Sequence, residues 1–178
     1  MIEYENEIAM YPDIMNNIEY YMNFYGYSDY KIFKTWKEFL PEIAEKYQKE
    51  YDILQNFSKP DITVLYRKNS DEEYKTLIIE VKITALTMNN IAQAKIYGDI
   101  FNADKVFLVS PYDIPRRIMQ YFPYNDNLLS YSYSRKIRLV KFVNKNLQLQ
   151  SSFPTGGEVL WLIQTKHIYW ACYMEKVL

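Results

Sequence analysis

The chain has 178 residues, of which 49% are hydrophobic and 24% are charged, and its net charge is −1. This composition is that of a globular domain with a buried core, and the charge is not that of a strongly basic nucleic-acid-binding domain. The lone Cys172 and His167 exclude an internal disulfide and a Cys/His zinc site within one chain. No apolar run reaches the roughly 18 residues of a membrane span, and the acidic start is unlike a signal peptide. We therefore expect one domain over residues 1–178, cytoplasmic and without membrane contact.

The first third of the chain predicts two helices separated by a strand. The first helix runs up to Gly26, with Pro12 in its first turn and apolar residues at helical spacing. A first strand is predicted over residues 30–36. A second, amphipathic helix is predicted over residues 41–54, because Pro41 suits a helix start and not a helix interior.

The central stretch, residues 60–97, predicts a β-hairpin with charged residues at its end. Two runs rich in β-branched and aromatic residues, 62–66 and 75–83, flank a polar connection. Alternation puts Ile78, Glu80 and Lys82 on one face of the second strand. If Tyr66 pairs with Lys75, the antiparallel register places Asp61 directly opposite Glu80.

Two opposed carboxylates in a buried sheet need a partner, because like charges across a strand pair are destabilising. Mg²⁺ would be that partner, since this ion favours one or two carboxylate ligands, with waters and phosphate oxygens completing its coordination. Lys82 would then polarise an attacking water or neutralise charge that develops on a phosphate. The alternative is that Asp61 caps a turn while Glu80 and Lys82 form a solvated pair at a sheet edge.

Pro60-Asp61 followed by Glu80-Val81-Lys82 resembles the signature of the PD-(D/E)xK nuclease superfamily. That superfamily includes restriction endonucleases, archaeal Holliday-junction resolvases and RecB-like exonucleases. Gln93 and Tyr97 are similar to the QxxxY motif of the RecB-like branch, and their spacing puts them one turn apart on a helix. The resemblance implies an α/β fold with a restriction-endonuclease-like core, in which helices flank a mixed β-sheet in the order αβββαβ.

The resemblance also implies roles for individual residues. Asp61, Glu80 and Lys82 would be catalytic, and Gln93 and Tyr97 would position the substrate strand or the catalytic groups. The metal, Mg²⁺ or a substituting Mn²⁺, would be held by Asp61, Glu80 and the Val81 carbonyl. A glutamate of the first helix often completes this site. Glu7 is the best match, but Glu3 and Glu19 compete and the spacing does not decide among them.

We therefore expect a Mg²⁺-dependent deoxyribonuclease in which metal-activated water hydrolyses a DNA phosphodiester. The QxxxY motif favours an exonuclease or an end-processing enzyme. Two alternatives stay open: a structure-specific endonuclease or junction resolvase acting as a homodimer, and a catalytically silent member that binds nucleic acid or another protein. The abundance of Tyr, Ile, Lys and Asn is similar to that of small archaeal virus proteins, which suggests a virus-encoded chain.

The remainder of the chain continues the α/β pattern. A helix is predicted over residues 90–101 and a buried strand over 106–109, parallel to the hairpin strand before the helix. A short helix from Asp113 and a strand over 137–143 follow. The segment 158–174 fits strands and a helix equally.

Basic residues concentrate in this second half, and they would contact phosphates or form a solvated face; Arg116, Arg117, Arg135 and Lys136 are the candidates. Tyrosine is abundant, with 19 residues. The tyrosines that flank the basic cluster would stack on unpaired bases, but a general compositional bias is favoured; these are Tyr121, Tyr124, Tyr131 and Tyr133.

Overall fold

The computed structural model describes residues 4–35, 46–47, 49, 59–125, 127–132 and 135–149. Within these ranges the helices are α1 (Glu7–Phe24), α2 (Met88–Ile100) and α3 (Arg116–Met119), and a 3₁₀ turn spans Phe122–Tyr124. The strands are β1 (Asp29–Phe33), β2 (Ile62–Arg67), β3 (Lys75–Val81), β4 (Lys105–Ser110), β5 (Ser130–Tyr131), β6 (Arg135–Val143) and β7 (Asn146–Leu149).

Some predictions fall outside these ranges. Of the helix expected over 41–54, only Lys46, Tyr47 and Lys49 are described, and they are helical. Glu3, Trp36, Tyr133 and the segment 158–174 are not described. No helix in the described part of the chain is long and apolar enough to cross a membrane.

The first helix starts earlier than the sequence predicted. Asn6 caps α1, its side chain accepting a hydrogen bond from the Ala9 N–H at 3.0 Å. Pro12 therefore lies inside the helix and not in its first turn, and that prediction is wrong. The carbonyl that the missing N–H would have engaged belongs to Ile8, which is exposed and can bind water instead. After Tyr25 the chain turns at Gly26, whose φ of 72° suits glycine.

The strands form a mixed sheet with the order β1-β2-β3-β4-β6-β5, and β7 pairs with β6. The first three strands are antiparallel neighbours, whereas β3, β4 and β6 are parallel. The expected parallel pairing of the strands on either side of α2 is thus confirmed. The protein is α/β, and the elements α1, β1, β2, β3, α2 and β4 follow one another in this order, with the helical residues Lys46, Tyr47 and Lys49 between β1 and β2. The first strand ends at Phe33, before the predicted boundary at residue 36.

Helices cover both faces of the sheet. α1 packs on the face formed by Ile62, Val64, Leu77, Ile79 and Val81. α2 and the segment around α3 pack on the opposite face, which carries Leu65, Ile78, Leu108, Ile137 and Leu139. Since β3 alternates, Glu80 belongs to the α2 face, as the sequence pattern predicted.

Candidate active site

The candidate site lies where β2 begins and β3 ends. Tyr66 pairs with Lys75 and Ile62 with Ile79, so the same register places Asp61 opposite Glu80. The register that the sequence predicted is therefore confirmed. Both carboxyl groups are buried: Asp61 is 8% exposed and Glu80 is 2% exposed.

Proline at position 60 changes the backbone hydrogen bonding at this end of the hairpin. The register puts Pro60 opposite Val81. The Lys82 N–H bonds to the Val109 carbonyl of β4. Because backbone polar groups alternate in direction along a strand, the N–H and carbonyl of Val81 point towards β2. Pro60 has no N–H to donate to the Val81 carbonyl. The Pro60 carbonyl accepts from the Thr35 hydroxyl at 2.7 Å, and the Val81 N–H donates to Asp61 Oδ2 at 2.7 Å. The Val81 carbonyl thus lacks its ladder donor beside the Asp61 carboxylate.

Asp61 is held by hydrogen bonds on both carboxylate oxygens. The Tyr11 hydroxyl of α1 donates to Oδ1 at 2.6 Å, opposite the Val81 N–H on Oδ2. Burial raises the pKa of Asp61, although these two donors, the Lys82 charge and a hydrogen bond with Glu80 lower it. A carboxylate bonded on both sides cannot rotate freely, so Tyr11 and Val81 fix its orientation.

Glu80 is the most perturbed carboxyl group of the site. Burial, and next the Asp61 charge, raise the pKa of Glu80 to about 8, against the lowering effect of Lys82. Its Oε1 accepts from Lys82 Nζ at 2.7 Å. Its Oε2 is buried, and no donor among the described residues reaches it. A buried carboxylate oxygen without a donor raises the free energy of the folded protein. A bound cation or a proton on Oε2 would remove this cost.

Lys82 connects the carboxyl groups of two elements. Its ammonium lies 2.7 Å from Glu80 Oε1 and 3.7 Å from Glu7 Oε1 of α1. Burial lowers the pKa of Lys82, but the charges of Glu80, Asp61 and Glu7 outweigh it, and the net direction is upward. The structure therefore places two carboxyl groups within 4 Å of one ammonium, with the Asp61 charge nearby, and this is not a solvated pair at a sheet edge.

Glu7 is the first-helix glutamate that reaches this cluster. Burial raises its pKa, while Lys82 and the Ile83 N–H act in the opposite direction. Glu19 is exposed and lies twelve residues further along α1, about 18 Å of helical rise. Of the two described candidates, the structure places Glu7 at the site.

Gln93 and Tyr97 lie one turn apart on α2, as predicted, and the Gln93 side-chain amide donates to the Tyr97 hydroxyl at 2.9 Å. Tyr97 is buried in the core on the α2 face, and Gln93 is half-buried. The helix thus crosses the sheet face that carries Glu80. Its start is fixed by a capping box between Thr87 and Asn90, six residues after β3 ends.

The basic residues predicted to bind nucleic acid separate into two groups. Arg116 and Arg117 start α3, shortly after β4 ends at the edge of the sheet where Glu80 lies. Arg135 and Lys136 start β6, a parallel strand, and therefore lie at the opposite edge. Arg135 donates to the Asn102 and Ala103 carbonyls after α2 at 2.9 and 2.8 Å. The structure therefore gives Arg135 a role in holding the end of α2.

Sequence reasoning missed Tyr11 and Thr35. Tyr11 bonds to Asp61 across 50 residues, and the Thr35 hydroxyl contacts both the Pro60 carbonyl and, at 3.1 Å, the Thr63 hydroxyl. Tyr11 belongs to the apolar periodicity of α1, and its hydroxyl gave no separate signal. Thr35 is fully buried just beyond β1. Its hydroxyl can be buried there because it bonds to the Pro60 carbonyl and contacts the Thr63 hydroxyl, and these contacts were not visible in the sequence.

The residues present suit a hard divalent cation. The cluster offers the Glu80 Oε2 without a donor, the adjacent Asp61 carboxylate and the Val81 carbonyl without its ladder donor. In the described ranges no group of three or more His, Cys, Asp or Glu side chains is arranged to hold a metal. Two carboxylates and a carbonyl completed by water and phosphate oxygens are nevertheless a common Mg²⁺ environment.

No protein-family model, curated protein or solved structure matches the chain.

Proposed function

We propose that the chain is a metal-dependent nuclease that hydrolyses DNA phosphodiester bonds at the cluster of Asp61, Glu80 and Lys82. The observation that carries the proposal is the register that opposes two buried carboxyl groups, with Glu80 Oε2 left without a donor. Buried like charges are destabilising unless a cation or proton compensates them. A metal-dependent site for DNA hydrolysis would account for the two buried carboxyl groups.

The order of α1, β1, β2, β3, α2 and β4, with an inserted helical segment between β1 and β2, supports a PD-(D/E)xK-type core. So does the combination of Pro60-Asp61 with Glu80-Val81-Lys82 at one end of an antiparallel hairpin. The placement of Gln93 and Tyr97 on the helix that crosses the same face agrees with the QxxxY branch, which favours an exonuclease or end-processing activity.

In this mechanism Asp61, Glu80 and the Val81 carbonyl would hold Mg²⁺, and Glu7 lies near enough to assist. Bound Mg²⁺ supplies Lewis-acid polarisation of the phosphate and lowers the pKa of an attacking water. Tyr11 and the Val81 N–H keep the Asp61 carboxylate in one orientation. The Lys82 ammonium donates to the attacking water or to the phosphate oxygens, where negative charge increases in the transition state. Gln93 would position the substrate strand or the catalytic groups, and the buried Tyr97 would hold the Gln93 side chain in place by accepting its hydrogen bond.

The test is cleavage of end-labelled linear and circular DNA, single- and double-stranded, with Mg²⁺, Mn²⁺ or EDTA. Wild type is compared with Asp61→Asn, Glu80→Gln and Lys82→Ala. Glu19→Gln is the matched control, because it changes an exposed glutamate of α1 in the same way. Metal-dependent cleavage by wild type and by the control, lost in the three site variants, would support the proposal. Equal cleavage by all five proteins would refute the assignment.

The substrate form distinguishes the classes of nuclease. Release of label from linear DNA only is expected for an exonuclease, whereas cutting of circles would indicate an endonuclease. Cutting of four-way junctions by a dimer, measured beside sedimentation, would indicate a resolvase.

A second candidate is a catalytically silent protein that binds nucleic acid. It is favoured by the ion pairs of Lys82, which already engage Glu80 and Glu7. Titration calorimetry with Mg²⁺ and Mn²⁺ separates the two candidates, because the silent protein would give no metal binding that depends on Glu80.

A further inference from the structure

A surface of exposed aromatic and basic residues lies on the segment that follows β4. Tyr121 and Tyr124 are 60% and 90% exposed. Single exposed apolar side chains are common on protein surfaces, but two large aromatic rings exposed within four residues of each other form a patch of the kind found at binding surfaces.

The segment around α3 has one buried side and one exposed side. Ile114, Ile118 and Phe122 recur every four residues and pack into the core on the α2 face. Consecutive turns continue from α3 into the 3₁₀ turn, through bonds from Tyr121 N–H to the Ile118 carbonyl and from Tyr124 N–H to the Tyr121 carbonyl. Core packing of these three side chains therefore anchors the backbone that carries Tyr121 and Tyr124.

Arg117, Tyr121 and Tyr124 are all exposed, and their spacing of four and three residues is compatible with one side of these consecutive turns. Neither Arg117 nor Arg116 forms an ion pair with any residue that the structure describes. In the same segment Asp113 is paired with Lys141 at 2.6 Å. Among the described residues, Arg116 and Arg117 thus remain as unpaired positive charge in the segment that carries the exposed rings.

The start of the segment is attached to the candidate site. Ser110, the last residue of β4, donates through its hydroxyl to the Thr84 carbonyl at 2.8 Å and accepts from the Tyr112 N–H at 3.1 Å. Thr84 lies two residues after Lys82. The aromatic segment therefore leaves the sheet directly beside the loop that follows the catalytic lysine.

We propose that Arg117, Tyr121 and Tyr124 form a binding surface for single-stranded nucleic acid that leads to the Glu80 site. Aromatic faces stack on bases that are unpaired, and duplex DNA offers none, while arginine neutralises the phosphates. Charge complementarity favours a polynucleotide over an apolar protein segment. The inference rests on the proposed nuclease function and adds to it the strandedness of the substrate.

The experiment measures the Kd of the full chain, in EDTA so that no cleavage occurs, for fluorescein-labelled single-stranded DNA, the matching duplex and single-stranded RNA. The variants are the double changes Tyr121→Ala/Tyr124→Ala and Tyr121→Phe/Tyr124→Phe. The matched control is Tyr20→Ala/Phe24→Ala, which removes two exposed aromatic side chains from α1. Thermal unfolding confirms that each variant is folded.

Because each base that stacks on an aromatic ring strengthens binding severalfold or more, the double alanine variant should bind single strands at least about tenfold more weakly. The phenylalanine variant should bind like wild type, because it keeps both rings. Duplex affinity should change by less than about threefold, and Arg117→Ala should reduce the salt dependence by about 0.7 in log–log slope. The DNA and RNA arms identify which polynucleotide the surface prefers.

Unchanged single-strand binding by the alanine variant, an equal loss for duplex, or the same loss in the α1 control would overturn the inference. Failure of the nuclease proposal gives a different pattern. Wild type would then bind single strands through the tyrosines but leave them intact in Mg²⁺. Cleavage of duplex with no effect of the tyrosine variants would instead refute the surface and leave the nuclease standing.

Discussion

Replacing Glu80 with glutamine should change how the stability of the metal-free protein depends on pH. The pKa of Glu80 rises from an ordinary value of 4.5 to about 8 through burial and the Asp61 charge. In the unfolded chain the group ionises near pH 4.5, whereas the native protein keeps its proton until about pH 8. Native stability is therefore fully present below pH 4.5 and is lost as the pH rises towards 8.

The size of the effect follows from the width of this window. Each pH unit within it costs the native state about 1.4 kcal/mol, so wild type should lose about 3 kcal/mol between pH 5 and pH 7 through Glu80. Glutamine fills almost the same volume and cannot ionise. The variant should lack this loss, and it should therefore be more stable than wild type at pH 7 by about 1–3 kcal/mol.

The assay is urea unfolding followed by circular dichroism in EDTA at pH 5, 6, 7 and 8. Glu19→Gln is the control and should follow wild type, because Glu19 is exposed in the native protein. Parallel curves for wild type and Glu80→Gln across the whole range would refute the reasoning, since they would mean that Glu80 ionises normally in the native state.

Four further outcomes are expected. Mg²⁺ at ten times its Kd should stabilise wild type at pH 8 by about 1.4 kcal/mol, measured by thermal unfolding, and should have no such effect on Glu80→Gln. Tyr11→Phe removes the hydroxyl that donates to Asp61 at 2.6 Å, and it should lower the free energy of unfolding by about 1–3 kcal/mol. Gly98→Ala should destabilise the protein by about 1–3 kcal/mol, because the new Cβ would lie 2.6 Å from the Tyr131 ring, although alanine normally favours a helix. Arg135→Ala should cost about 1–3 kcal/mol, because it removes the donors to the Asn102 and Ala103 carbonyls.

Controls distinguish these explanations from general damage. Tyr20→Phe removes an exposed hydroxyl from the same helix as Tyr11 and should be neutral. The cost of Gly98→Ala should shrink when Tyr131→Ala is also present, whereas additive effects would contradict the clash. Lys136→Ala changes the exposed neighbour of Arg135 and should leave stability unchanged.

The local periodicities of the sequence determined the elements of the site. Alternation from Lys75 onward placed Ile78, Glu80 and Lys82 on one face, and the length of the hairpin connection was compatible with the register that opposes Asp61 and Glu80. The spacing of four residues between Gln93 and Tyr97 was sufficient to place them on one side of a helix. Each of these features depends on neighbours in the chain, since strands and helices repeat every two and every 3.6 residues.

Contacts between distant segments were decided only by the tertiary structure. The packing of α1 on the sheet brings Tyr11 to Asp61 and Glu7 to Lys82, and no periodicity in the chain specifies which glutamate arrives there. The same packing buries the carboxyl groups and thereby raises the pKa of Glu80. Parallel pairing of β6 with β4 separates Arg135 from Arg117, although the sequence places both in one basic cluster. Exposure, too, is a property of the folded chain: it separates Tyr124, which is in solvent, from Tyr131, which is in the core.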